Sequence, residues 1–106
     1  MADRPWKQFE RDIARLLGGR RYPANTGGGL DVEGAGLVAQ CKLVRRLSLG
    51  ELSELAEQVA RDAGPTRTGV VAVKLRRGRG RPTPILIVQT AAEWVKQHGD
   101  TFRVPE

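Results

Sequence analysis

Four polar residues stand where packing alone would favour apolar ones. Asp31 follows the glycine-rich stretch Thr26-Gly27-Gly28-Gly29 and leads into an extended segment. Gln40 and Lys42 alternate with Ala39, Cys41 and Leu43, so they share one face of an otherwise apolar strand. Glu10 lies at the margin of an apolar helical stripe. A lysine in the middle of such a strand is costly unless something partners it. Oxygen donors from the Asp31 carboxylate and the Gln40 amide, with a main-chain carbonyl nearby, suit a hard cation, Mg²⁺ or Mn²⁺. Such an ion lowers the pKa of a bound water and neutralises charge that builds on a phosphate. Lys42 beside it would orient or deprotonate that water and stabilise the pentavalent transition state. Glu10 would reach the ion directly or through water.

These residues can meet only if particular elements bring them together. Pro5 suits the first turn of a helix. Trp6, Phe9, Ile13, Leu16 and Leu17 then recur at helical spacing, and Gly18-Gly19 ends the run. A short extended piece over 20–23 and a loop over 25–29 follow. Leu30–Glu33 reads as a strand, Gly34-Ala35-Gly36 as a hairpin turn, and Leu37–Val44 as the clearest strand of the chain. That hairpin would carry Asp31 towards the Gln40/Lys42 face. Ser48-Leu49-Gly50-Glu51 is a capping box that opens a helix with Leu52, Leu55, Ala56, Val59 and Ala63 inward, closed by Gly64-Pro65. Val70–Leu75 and Ile85–Gln89 are β-branched apolar runs that read as buried strands. Thr90-Ala91-Ala92-Glu93 caps a last short helix, which Gly99 stops. The order predicts an α/β fold, a central mixed sheet flanked by helices, in one domain over residues 1–106.

Composition narrows the chemistry. The 106 residues contain one cysteine and one histidine, which excludes an internal disulfide and any multi-cysteine or multi-histidine zinc site. A Ser-His-Asp triad would have to use His98. No apolar run approaches the ~20 residues of a membrane span, and no signal peptide is visible, so a cytoplasmic location without membrane contact is expected. The net charge is +6, and it is uneven. Residues 1–62 hold 10 basic and 9 acidic side chains, whereas 63–106 hold 8 and 3. Arginine makes up 14 of the 18 basic residues and pairs bidentately with phosphate. The densest run is Arg76-Arg77-Gly78-Arg79-Gly80-Arg81. A phosphate-backbone partner is the functional implication, and a solvated loop is the plain alternative.

Taken together, Glu10, Asp31 and Gln40-Cys41-Lys42 resemble the PD-(D/E)xK nuclease superfamily over roughly residues 6–90. The order of elements is similar to that superfamily's αβββαβ core, a restriction-endonuclease-like fold. The glycine-rich loop before Asp31 and the early Glu10 are similar to archaeal and phage Holliday-junction resolvases. Val38-Ala39-Gln40-Cys41-Lys42 is similar to Mrr-type nucleases, which also place Gln at the second acidic position. The resemblance implies metal binding by Asp31, Gln40 and Glu10 and a catalytic role for Lys42. Thr26 would match a loop hydroxyl residue of the resolvases, and Gln58 a glutamine that some relatives hold near the site. Two departures stand out: Gln40 removes one negative charge, and Leu30 rather than proline precedes Asp31.

The expected function is therefore a Mg²⁺-dependent endonuclease that resolves four-way DNA junctions, with no small-molecule cofactor. It would act as a homodimer, because symmetric cutting needs two sites facing two strands. Arg20, Arg21, Thr26, Arg45, Arg46, Arg76, Arg77, Arg79 and Arg81 would contact branched DNA. The alternatives are an Mrr-type restriction or repair nuclease on other DNA, and a non-catalytic nucleic-acid-binding protein, which Gln40 favours. At residue level, Asp31 could merely close an Asx turn, Gln40 and Lys42 could line an exposed edge strand, and Glu10 could pair with Lys7. Glu33 is a candidate extra ligand. Cys41 should face the core, and Trp94 and Phe102 should serve packing.

Overall fold

A computed structural model of the chain describes residues 4–22, 29–78 and 81–99. Helix α1 spans Pro5–Leu16, and β1 is the two-residue strand Arg20–Arg21. Strands β2 (Val32–Gly34) and β3 (Leu37–Val44) form the expected hairpin. Helix α2 (Leu49–Ala63) crosses over to β4 (Thr68–Leu75), which is followed by β5 (Ile85–Val88) and α3 (Ala91–His98). The five strands stand in chain order in one sheet. The contacts β1–β2, β2–β3 and β4–β5 are antiparallel, and β3–β4 is parallel because α2 intervenes. The fold is thus α/β, a five-stranded mixed sheet flanked by three helices. Among the described residues no helix is long and apolar enough to cross a membrane.

Alternation along β3 and β4 divides the core into two layers. Ala39, Val70 and Ala72 meet Phe9, Ile13 and Ala14 of α1 on one face. Val38, Val71 and Val73 meet Ala56, Val59 and Ala63 of α2 on the other. Because both faces are covered, β4 is apolar at almost every position, as buried parallel strands are. Helix α2 starts where the capping box predicts, with Ser48 Oγ accepting the Glu51 N–H at 3.1 Å. Gly69 lets α2 lie close on β4, since a Cβ there would come within 2.3 Å of the Val59 carbonyl oxygen. Gly19 performs the same service between the end of α1 and β2, where a Cβ would meet the Glu33 carbonyl.

Several expectations change. The second strand begins at Val32 rather than Leu30, because Asp31 just before it bonds Tyr22 and Ala39 outside the regular ladder. On α1, Trp6 and Leu16 are exposed, at 43% and 61%, because the short β1–β2 edge covers only the centre of the helix face. Strand β5 is an outer strand and not a buried one: Leu86 and Ile87 remain half exposed. The capping box of α3 is half formed. Thr90 Oγ1 accepts the Glu93 N–H, but the Glu93 side chain turns away and is buried. Its Oε1 accepts the Gly69 N–H at 2.9 Å, and its Oε2 lies 2.7 Å from Lys96 Nζ. Lys96 in turn donates to the carbonyls of Gly64 and Arg67, so this cluster fastens α3 to the α2–β4 connection.

Candidate active site

Asp31 stands where three strands meet. Its carbonyl accepts the Tyr22 N–H and its own N–H donates to the Ala39 carbonyl, both at 2.9 Å. The β2–β3 register ends at Val32–Ala39, and Asp31, one residue before it, bonds Ala39 as well rather than pairing with Gln40. The ladder opens at this point. The Cys41 N–H donates not to a backbone carbonyl but to Asp31 Oδ2, at 2.8 Å. That bond holds the carboxylate against β3 between the positions of Gln40 and Lys42. It does more than close a local Asx turn.

Burial raises the Asp31 pKa above its ordinary value, and the Cys41 N–H and the charges of Lys42 and Arg21 offset part of the rise. One Asp31 oxygen is taken by the Cys41 N–H, and the other is the one that remains for a further partner. The Cys41 thiol is pushed strongly upward, first by burial and then by the negative charges of Asp31 and Glu10. It is a neutral core residue, packed beside the α1 layer.

Glu10 does not pair with Lys7. Its Oε1 receives Arg21 Nε at 3.0 Å and Arg21 Nη2 at 2.9 Å, and its carboxylate is largely buried. Arg21 thereby links two predicted site residues, bonded to Glu10 and acting electrostatically on Asp31. Nothing in the spacing of the sequence marks this pair, which depends on β1 folding back over α1. Glu33 is engaged elsewhere. Arg20 Nε lies 2.6 Å from its Oε1, and that hydrogen bond and one from Tyr22 hold Glu33 below the usual carboxylate range.

Gln40 and Lys42 lie on the third of five strands, so the edge-strand alternative falls. Both are half-buried on the face that carries α2. Lys42 lines a cleft of about 620 Å³ between β3 and α2, together with Glu54, Gln58 and Arg61. Gln58 is held there from both sides, donating to Asp62 at 3.0 Å and accepting from Arg61 at 2.8 Å. Gln58 and Arg61 thus stand beside Lys42 in the wall of this cleft.

Among the described residues no three His, Cys, Asp or Glu side chains gather as a metal cluster. Residue 40 is an amide, and the Glu10 carboxylate is bound to Arg21. The oxygen donors by type near this point of β3 are the Asp31 carboxylate, held at Cys41, and the amide of the adjacent Gln40. This is a hard, oxygen-only set of the kind that suits Mg²⁺, which keeps several waters and binds through few protein ligands.

The arginines expected on DNA are distributed unevenly. Arg45, Arg46, Arg76, Arg77 and Arg81 are exposed. Arg20 and Arg21 are held in the pairs described above. Thr26 and Arg79 lie outside the described residues. Compared with known protein families, curated protein sequences and solved structures, the chain matches none.

Proposed function

We propose that the protein is a divalent-metal-dependent nuclease acting on DNA, with branched junctions as its substrate. One observation carries this proposal: the Cys41 N–H fixes the Asp31 carboxylate on a central strand, flanked by Gln40 and Lys42.

Asp31 and Gln40 would hold the ion, which when bound polarises the phosphate and a water. Lys42 faces the cleft, where its ammonium can hydrogen-bond a non-bridging phosphate oxygen and stabilise the charge that grows there. The Cys41 N–H keeps the Asp31 carboxylate from turning away. Arg21 binds Glu10 and acts electrostatically on Asp31, so Glu10 would contribute only indirectly, through Arg21 or water. Gln58 and Arg61 form the opposite wall of the cleft. The homodimer follows from the substrate, since two strands must be cut.

A synthetic four-way junction, a linear duplex and a flap are incubated with the protein in Mg²⁺, in Mn²⁺ and in chelator. Cutting of the junction in metal, abolished by chelator and by Lys42→Ala, is the expected result. Preference for linear duplex would point to a restriction or repair enzyme. The presence of Gln40 and the occupation of Glu10 by Arg21 favour a second reading, a DNA-binding protein without turnover. Binding without cutting in either metal would establish it.

A further inference from the structure

Strands β3 and β4 run parallel, so their carboxyl ends lie side by side, and each is followed at once by two arginines: Arg45-Arg46 and Arg76-Arg77. The Arg76 N–H donates to the Val44 carbonyl at 2.7 Å, which locks the two exits together. Thr83 Oγ1 donates to the Leu75 carbonyl and ties the returning chain to the same point. Arg45, Arg76, Arg77 and Gly78 line a separate cleft of about 300 Å³ with no acidic residue in its wall.

Several other arginines are engaged within the fold. Arg15, Arg20 and Arg21 are paired with carboxylates, Arg61 bonds Gln58, and Arg67 bonds Tyr22 and two carbonyls. Among the described residues no carboxylate or other acceptor engages the side chain of Arg45, Arg76 or Arg77. Three guanidinium groups around one small cleft repel one another, and a bound anion relieves that repulsion. The planar fork of arginine matches a phosphate bidentately.

We infer that this cleft is a seat for one backbone phosphodiester of DNA, separate from the Asp31 site and independent of metal. Arg45 lies four positions after Cys41, which anchors Asp31, about 13 Å at the rise of an extended chain. A nucleic-acid strand crossing the Asp31 site would reach the seat a few nucleotides further on, following β3 and β4 towards their carboxyl ends. The seat presupposes the same partner as the nuclease proposal but not the cleavage.

The test is binding of a labelled four-way junction in chelator over a series of KCl concentrations. The wild type, Arg45→Ala, Arg76→Ala/Arg77→Ala, the triple variant and Arg15→Ala are compared, with inorganic phosphate as a competitor. One shared phosphate predicts that the triple variant loses about one unit of the slope of log K against log salt, and about tenfold in affinity. Arg45→Ala alone would remove most of that, and Arg15→Ala nothing. Arg76→Lys/Arg77→Lys should recover part of the affinity. Loss of about three slope units in the triple variant would mean three separate contacts, and no loss would mean solvated arginines; either result overturns the shared seat. Displacement of the DNA by millimolar inorganic phosphate would make the cleft a free-phosphate site and equally overturn it. Because no metal is present, absence of nuclease activity leaves this test unaffected.

Discussion

Replacing Asp31 separates its structural role from its chemical one. Its pKa is raised above the ordinary 3.8, chiefly by burial. The folded state therefore binds the proton more tightly than the unfolded chain does. Stability from this source is complete below the unfolded value and is lost as pH rises through the folded value, so at neutral pH the ionised carboxylate costs stability. Asp31→Asn removes the charge but keeps an oxygen for the Cys41 N–H at 2.8 Å. Asp31→Ala removes both, and leaves a partly buried donor without its acceptor, at a cost of about 1–3 kcal/mol. In a domain of this size each kcal/mol moves Tm by roughly 4–8 °C. Thermal unfolding at pH 7 should place Asp31→Asn at or above the wild type, and Asp31→Ala at least several degrees below Asp31→Asn. Both variants should fail to cut DNA and still bind it in chelator. On acidification the wild type should close its deficit relative to Asp31→Asn. If Asp31→Asn is as unstable as Asp31→Ala, the Cys41 bond does not have the role assigned to it. If Asp31→Asn cuts normally, the carboxylate is not a metal ligand.

Other substitutions probe the scaffold and the cleft. Glu93→Ala strips the buried Gly69 N–H of its acceptor and Lys96 of its partner, and should cost about 2–3 kcal/mol in chemical denaturation, while Glu93→Gln, which keeps the acceptor, should cost less. Gly69→Ala drives a methyl into the Val59 carbonyl and should destabilise by about 1–3 kcal/mol or more, read as a lowered denaturation midpoint. Gln40→Glu adds a carboxylate to the proposed ligand set and should tighten Mn²⁺ binding in calorimetry; unchanged affinity would remove residue 40 from that set.

Much of the scaffold is legible in the sequence because local signals agree. The capping boxes at Ser48 and Thr90 mark two helix starts, and alternation marks β3 to the residue. The fate of β5 is not legible. Ile85–Val88 is as apolar as a buried strand, and only the sheet order reveals it as the outer one. Glu93 shows a related limit. A capping box predicts that its side chain turns back to Thr90, but a buried backbone donor on β4 captures it instead. At the candidate site, the face shared by Gln40 and Lys42 follows from a period of two, whereas the break in the ladder at Asp31, which bonds Ala39 outside the paired register, is not encoded by it. The Arg21–Glu10 pair is a long-range contact between α1 and a two-residue strand, and no periodicity encodes it. The arginine cleft is likewise topological: Arg45 and Arg76 are 31 positions apart and become neighbours only because β3 and β4 are parallel.

Crystals soaked in Mn²⁺ and measured at an anomalous wavelength would locate a bound ion directly. An anomalous peak bridging the Asp31 carboxylate and the Gln40 amide, lost in Asp31→Asn, is the predicted result. Ordered density for both side chains with no peak between them at millimolar Mn²⁺, or a peak elsewhere on the molecule, would contradict a metal centre at this site.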